Sequence, residues 1–487
     1  MDSFKLLSFN GKMKTLHLSW MAFFITFLVW FNLAPLLPMI KASLQLSDQQ
    51  VKALLVLNVA LTIPARVIIG ALTDKLGPRR VYSSLLLLCS IPCFVFALAT
   101  SFEIAAIARF LLGFIGAGFV IGIRLISEWF SYRQLGTAAG IYGGWGNFGS
   151  AAAAFTLPTI ALWFGGEEGW RWAIGFTGLL SVIFAWIFFC SISDTPKGES
   201  YYTPKKASAI EITSKRDFVL LVVCKLPMYV ALGLLTWQLG ESRINLFSAS
   251  ISLIVYLLLT GLYLWQIYEC YKVNKAVFDK PVEQESRYEF KQVAILNVLY
   301  FATFGSELAV VSILPLFFIE TFELSPVFAG MVASSYAFMN LMSRPAGGWL
   351  SDHIGRKPIL IVLSFGLALG YLAMAYIESS WPLPLAIIVT MLCSFFVQAG
   401  EGAVFATVPL IQRRLTGQIS GMIGAYGNVG AVIYLTALTL LDYQQFFMFV
   451  AATSVVSFAI SFMFKEPTGH IIEINADGSK RKIDVAS

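Results

Sequence analysis

The chain has 487 residues, of which 57% are hydrophobic and only 13% charged, with a formal net charge of +6. Soluble chains are about a quarter charged, and one water-exposed fold cannot hide this much apolar surface in a single core, so lipid must be the solvent for most of it. The positive charge is spread over loops and gives no reason to expect a nucleic-acid partner; scattered His17, His353 and His470, and six cysteines in apolar stretches without a C-x-x-C pair, give none to expect a metal or redox centre.

The N-terminal segment is polar and carries Lys5, Lys12 and Lys14. The apolar run that follows, 17–40, is too long for a signal-peptide core and ends without a small-residue cleavage pattern, so it reads as a retained first span. Runs at 50–73, 81–100, 103–126, 136–163 and 170–192 follow, then a polar stretch at 193–216. Two more apolar runs lie at 218–239 and 246–269, then a second polar stretch, 271–290, with Lys272, Lys275, Lys280 and Arg287. The last six runs are 291–319, 326–350, 358–378, 383–408, 419–441 and 443–464. With roughly 20 apolar residues needed per span, the count is about fourteen. The expected organisation is an N-terminal six-helix bundle (1–192), a central linker with two extra apolar helices (193–290), a C-terminal six-helix bundle (291–464) and a tail (465–487).

Lys and Arg gather in cytoplasmic loops. With a cytoplasmic N-terminus and alternating spans, only Lys41, Lys52, Arg171 and Arg243 fall outside, and Arg66, Arg109, Lys225 and Arg344 fall within spans. All other basic residues fall on the cytoplasmic side, where both termini are then expected. The linker pair is expected to cross as a hairpin with Glu241 and Arg243 outside, peripheral to any transport path.

The two halves echo one another. Arg66-x3-Gly70-x3-Asp74-x2-Gly77, followed by Arg79 and Arg80, matches Arg344-x3-Gly348-x3-Asp352-x2-Gly355, followed by Arg356 and Lys357. Gly140-x2-Gly143-x2-Gly146-Asn147-x-Gly149 matches Gly421-x2-Gly424-x2-Gly427-Asn428-x-Gly430. The first pair is offset by 278 residues and the second by 281, so two independent motifs report nearly one repeat. Repeated halves with a binding site at their interface are a transporter plan.

The loop motif Gly70-x3-Asp74-x2-Gly77-x-Arg79-Arg80, its recurrence after Arg344, and Arg109-x3-Gly113-x2-Gly116-x-Gly118 resemble motifs of the major facilitator superfamily. The segments 143–149 and 424–430 resemble the paired signature of its nitrate/nitrite porter family, and 300–306 resembles that family's seventh core helix. The resemblance implies an all-α polytopic membrane protein with two pseudo-symmetric six-helix bundles. It implies nitrate, and nitrite, as solutes moved across the cytoplasmic membrane by alternating access. It also implies Arg66 and Arg344 as substrate-binding arginines, Asn147 as a polar contact to the anion, and Tyr300, Phe304, Phe119 and Phe405 as lining. The linker pair departs from twelve-helix members and resembles an insertion seen in some bacterial nitrate permeases.

The residues themselves support part of this. Arg66 and Arg344 each precede a motif aspartate by eight residues, about 12 Å of helix, which in a hydrocarbon core about 30 Å thick places both near the midplane. An arginine there costs roughly 2.5–3.5 kcal/mol on insertion scales and must face the bundle interior or a cavity. Guanidinium is a permanent planar fork of donors suited to a planar oxyanion; the alternative is that each arginine is paired with a buried carboxylate, Glu307 or Glu401. The glycines have a packing reason, whereas Asn147 and Asn428 need polar partners in mid-bilayer and are candidate ligands. Glu307 and Glu401, with Arg109, are candidates for proton coupling, or the two carboxylates are permanent counter-charges for Arg109, Lys225 or a site arginine. Asp74, Arg79, Arg80, Asp352, Arg356 and Lys357, with Gly70, Gly77, Gly348 and Gly355, are expected to form cytoplasmic gate contacts. No nucleotide-binding loop, cofactor motif or nucleophile constellation is present, so neither catalysis nor a cofactor is expected. The expected partners are nitrate, nitrite, protons and membrane lipid, and the expected state is a monomer. The competing readings are another small anion or organic solute on the same fold, or a nitrate-binding sensor that moves nothing.

Overall fold

The computed structural model describes residues 5–165, 168–201, 203–204, 208–279, 287–466, 470–474 and 480–484. Lys280 of the basic linker segment lies outside them. Twelve helical rods among the described residues are long and apolar enough to cross a membrane. Helices are the form this composition demands, since backbone donors and acceptors in lipid must be satisfied within the segment. The first four core helices are Gly11–Ser43, Asp48–Leu76, Pro78–Ala97 and Phe102–Trp129. The fifth is Tyr132–Trp163, rich in glycine, and the sixth is Gly169–Ser191. A linker pair, Lys215–Leu239 and Ala249–Asn274, comes next. The seventh core helix is Phe290–Phe322; the eighth is built of two consecutive segments, Pro326–Phe338 and Asn340–Ile354. The ninth to twelfth are Arg356–Ala375, Leu383–Leu410, Arg413–Leu438 and Tyr443–Ser461. The non-helical pairings among the described residues are a short antiparallel hairpin in the tail, His470–Ile474 with Lys480–Asp484, and an isolated bridge between Gly240 and Phe247 in the turn of the linker pair.

Helix starts follow ordinary capping chemistry. Ser47 accepts from the Gln50 amide while the Gln50 side chain accepts from the Ser47 amide. Ser101, Ser214, Ser248, Ser325 and Asp442 cap later helices in the simpler way. The turns between the second and third and between the eighth and ninth core helices pass through Gly77 (φ 87°) and Gly355 (φ 113°), a backbone region that side chains rarely adopt.

Two helix pairs dominate the join between the halves, the second core helix on the eleventh and the fifth on the eighth, with lesser contact of the fifth on the tenth and the fourth on the eleventh. Glycine makes this approach possible. A Cβ on Gly70 would overlap the Gly417 carbonyl, and one on Gly348 would overlap the Gly136 carbonyl, so the main chains of opposite halves are in direct contact. The linker pair flanks this assembly unequally. Its first helix packs against the seventh and eleventh core helices and touches the second. It is tied on by Tyr426, whose hydroxyl donates to the Cys224 carbonyl at 2.8 Å, and by Gln238, whose amide donates to Thr436 Oγ1 at 2.7 Å. The second presents exposed Leu253, Ile254, Leu257 and Leu264 to the surroundings.

Candidate functional site

Arg66 on the second core helix and Arg344 on the eighth are buried, 0% and 2% exposed, and face the centre. Both guanidinium groups lie against one ring, Phe304 of the seventh core helix, at 4.9 and 5.8 Å from its centroid. Arg66 Nε donates to the Gly116 carbonyl at 3.2 Å and Nη1 to the Gly424 carbonyl at 2.6 Å, so its head bridges the fourth and eleventh core helices. The glycines of the repeated motif make room for these heads. A Cβ on Gly424 would stand 3.1 Å from Arg66 Cδ, and one on Gly143 would stand 3.1 Å from Arg344 Nη1. Tyr300 stacks on Phe304 at 5.2 Å, Phe405 meets Tyr300 at 4.8 Å, and Phe119 meets Phe405 at 4.5 Å. These four rings and two arginines, drawn from five helices, form one layer across the centre.

The two arginines differ in their partners. Arg344 forms ion pairs with Glu401 of the tenth core helix and, at 3.3 Å, with Glu307 of the seventh. Among the described residues no carboxylate pairs with Arg66. The symmetry of the sequence motif is therefore not a symmetry of charge: the carboxylate-paired alternative describes Arg344, and Arg66 stands apart. Glu307 also accepts from Asn340 Nδ2 at 2.6 Å, and Asn340 Oδ1 in turn accepts from Asn147 Nδ2 at 3.4 Å. A polar chain thus crosses between the halves beside the arginine layer.

A cavity of about 500 Å³ lies between the halves on the side of this layer away from the motif loops. Asn147, Glu307 and Asn340 stand in its wall among Phe27, Trp30 and Phe31. At the opposite end the halves are clasped. Asp74 accepts from the Gly417 and Gln418 amides at 2.9 and 2.8 Å, at the start of the eleventh core helix. Asp352 accepts from the Gly136 and Thr137 amides at 3.0 and 2.7 Å, at the start of the fifth. Each motif aspartate thus holds the first turn of a helix in the other half, where unpaired amides and the helix dipole favour a carboxylate. Arg124 Nε pairs with Asp74 at 3.0 Å and its Nη1 with Glu128, which also meets Arg413 at 3.3 Å. Arg356 donates to Asp352 at 3.0 Å and to the Tyr132 carbonyl at 2.9 Å. The cavity open on one side and the clasp on the other define a conformation closed at the motif end.

Several expected residues take other places. Arg79 and Arg80 do not reach the other half in any described contact: Arg79 Nε donates to the Phe189 carbonyl at 2.7 Å, and Arg80 lines a groove with Trp186 on its own half. Lys357 contributes its amide, not its charge, to Glu466 at 2.6 Å. Arg109 is held within the N-terminal half by Asn32, Asn58 and the Trp30 carbonyl at 2.7–2.8 Å, away from Glu307 and Glu401. Asn428 bonds only weakly, at 3.5 Å, to Gly424 of its own helix. Other residues went unread in the sequence. Asn340 carried a signal, since it lies one helical turn before Arg344 on the same face. Arg124 and Glu128 carried the same i, i+4 spacing, and Arg413 carried no such signal. Asp194 and Glu466, each just past the end of a six-helix bundle, accept from the first amides of the third and ninth core helices at 2.6–2.9 Å. The half-buried Asp194 carboxyl is pushed above its ordinary range by burial, against the opposing pull of the Arg79 amide.

The sequence matches the family profile described as Major Facilitator Superfamily over residues 19–435 and 296–483. It is 46% identical to the "Nitrate/nitrite transporter NrtP" of Picosynechococcus sp. over 96% of both chains, and 44% identical to the protein of the same name from Nostoc punctiforme, over 96% of this chain and 95% of that one. It is 28% identical to the "High affinity nitrate transporter 2.7" of Arabidopsis thaliana over 86% of this chain and 76% of that one. Among solved structures, the proton:xylose symporter XylE (a double Trp mutant) superposes with a TM-score of 0.66 over 95% of this chain and 98% of that one, at 13% identity. The human organic anion transporter MFSD10 does so with a TM-score of 0.63 over 93% of this chain and the whole of that one, also at 13% identity. At that identity the structures speak for the fold alone.

Proposed function

The chain belongs to the Major Facilitator Superfamily and, within it, to the nitrate/nitrite porters, and from that premise we propose that it carries nitrate, and nitrite as a second substrate, across the cytoplasmic membrane by alternating access, with the anion held between Arg66 and Arg344. The observation that carries this reading is the pair of buried guanidinium groups on the two faces of the interface, both against the Phe304 ring. An anion entering the open cavity meets Asn147 first, then the aromatic layer, whose flat rings accept a planar oxyanion and exclude bulkier tetrahedral ones. With both termini cytoplasmic, the clasped end faces the cytoplasm and the cavity faces out. Rocking of one half against the other then moves the same site from one side to the other.

The charge balance favours proton symport. Two arginines against ionised Glu307 and Glu401 sum to zero, so an anion entering alone leaves the buried cluster negative. A proton on either carboxylate frees one positive charge to meet it. A lone anion is also opposed by a negative-inside potential, about 2.3 kcal/mol for one charge across 100 mV, and two protons per anion reverse that sign. The test is flux in proteoliposomes: nitrate and nitrite uptake with and without an imposed inward proton gradient, against competing anions. Accumulation driven by the gradient is expected. Flux that requires nitrite on the opposite side and ignores the gradient replaces symport with exchange, and uptake blind to both anions overturns the substrate.

A further inference from the structure

A second, smaller cavity of about 50 Å³ lies away from the arginine layer, where the linker pair meets the interface between the halves. Val67 and Ala71 of the second core helix, Gln418 and Met422 of the eleventh, and Lys225 and Gln266 of the linker pair stand around it. Lys225 is 7% exposed and Gln418 is 4% exposed. Lys225 Nζ donates to Gln266 Oε1 at 3.1 Å. Among the described residues no carboxylate pairs with it, and Gln418 Nε2 is buried with no hydrogen-bond partner. An ammonium can donate three hydrogen bonds and an amide nitrogen two, and neither can accept. The cavity therefore gathers a buried positive charge and unused donors. A buried charge without a counter-charge is costly, and donors without acceptors call for an anion. The volume exceeds the ~30 Å³ share of one water in the liquid, enough for a monatomic or small planar anion and too little for a lipid headgroup.

We propose that Lys225 and Gln418 form a second anion site, for a small monovalent inorganic anion, that regulates the clasp between the halves. The link is physical. The Gln418 amide is one of the two donors that hold Asp74, so an anion bound to its side chain and to Lys225 ties the linker pair to the clasped end. Val67, next to Arg66 in sequence, forms the wall from the other half. Parting the halves at the motif end pulls that wall away, so occupancy favours the conformation described here. This also assigns the linker pair a task that twelve-helix members of the family would lack. The site is separate from the arginine layer and does not depend on which solute that layer carries.

The test uses the purified full chain in detergent, with chloride as the probe, exchanged for gluconate at constant ionic strength. The melting temperature of the wild type is expected to rise by about 2 °C or more in saturating chloride. The rise should persist in Arg66→Gln and vanish in Lys225→Met. If Lys225→Met fails to fold, Gln418→Leu, which keeps the main-chain amide to Asp74, is expected to remove most of the rise. No rise in the wild type means the cavity holds water and overturns the proposal. A rise that survives both linker-site variants, or that disappears in Arg66→Gln, places the anion elsewhere and overturns it too. Neither result bears on nitrate flux.

Discussion

The clasp between the halves rests on glycine, and Gly140→Ala measures it. A Cβ on Gly140 would stand 2.5 Å from the Arg344 carbonyl oxygen, 2.8 Å from Pro345 Cα and 3.0 Å from the Arg344 carbonyl carbon. All three are main-chain atoms, so no rotamer change relieves the overlap. Ordinary C···O contact begins at about 3.3 Å, so the fifth and eighth core helices must separate by about 0.8 Å. Overpacking of this kind costs about 1–3 kcal/mol. The cost is confined to the arrangement closed at the motif end, because parting the halves there releases the contact. It therefore shifts the conformational balance by about 5- to 150-fold toward the alternative. Spin labels at exposed Lys75 and His353, in the last turns of the second and eighth core helices, would report this as a new longer distance by double electron–electron resonance, with exposed Cys190 replaced to remove background. Gly175→Ala, where a Cβ meets nothing within 4 Å, is the control. If Gly140→Ala leaves the distance distribution like that of the control, main-chain contact between the halves does not set the balance and the reasoning fails.

Arg66→Lys is expected to lower nitrate uptake at least tenfold at unchanged membrane expression, since an ammonium cannot bond both the Gly116 and Gly424 carbonyls and still present a planar fork; near-normal uptake would remove Arg66 from the site. Glu307→Gln and Glu401→Gln are each expected to abolish proton-driven accumulation while leaving nitrate binding measurable, and unchanged accumulation in both would exclude these carboxylates as proton sites. Asp352→Asn weakens two charge-assisted bonds to the Gly136 and Thr137 amides, each bond to a charged group being worth about 1.5–3 kcal/mol. It should raise the accessibility to thiol reagents of a cysteine placed in the clasp; accessibility equal to that of the parent would show that Asp352 is not a latch. The linker pair is expected to cross as a hairpin, so a cysteine at Ser242 should react only with an impermeant reagent added outside, and labelling only from the cytoplasmic side would show that it does not span.

The helices, the two-fold repeat and the residues of the central layer were legible in the sequence, because periodic constraints write themselves locally. Lipid demands long apolar helices, and a two-fold interface demands the same motif twice. Arg66, Arg344, Tyr300, Phe304, Phe119 and Phe405, singled out by the repeat and the resemblance, lie together in one layer. What stayed hidden was the choice of ionic partners. Glu307 and Glu401 stood out as intramembrane carboxylates, but four cations were available to them, and only the packing of the seventh and tenth core helices against the eighth selects Arg344. The same holds for the pairs of Arg124 with Asp74 and of Glu128 with Arg413, which join helices far apart in sequence. The linker pair was read as peripheral because twelve-helix members of the family lack it. Its first helix touches both halves, through a face whose polar residues include Lys225 and Gln238.

Across the interface Asp74 and Asp352 grip chiefly main-chain amides, with one side-chain bond beside them, from Thr137 Oγ1 to Asp352 at 3.0 Å. A latch of that kind is indifferent to most amino-acid identities at the positions it holds. Gly136 and Gly417 remain constrained, because a Cβ on either would fall 2.6 Å from the oxygen of the gripping carboxylate. Gln418 does not share that constraint, since any residue but proline presents the same N–H there, whereas Thr137 adds its hydroxyl to the hold on Asp352. Mutation can therefore explore position 418 without loosening the hold on Asp74. Two halves that fit each other closely can in this way diverge at their point of closest grip, and a side chain released from holding is free to take another task.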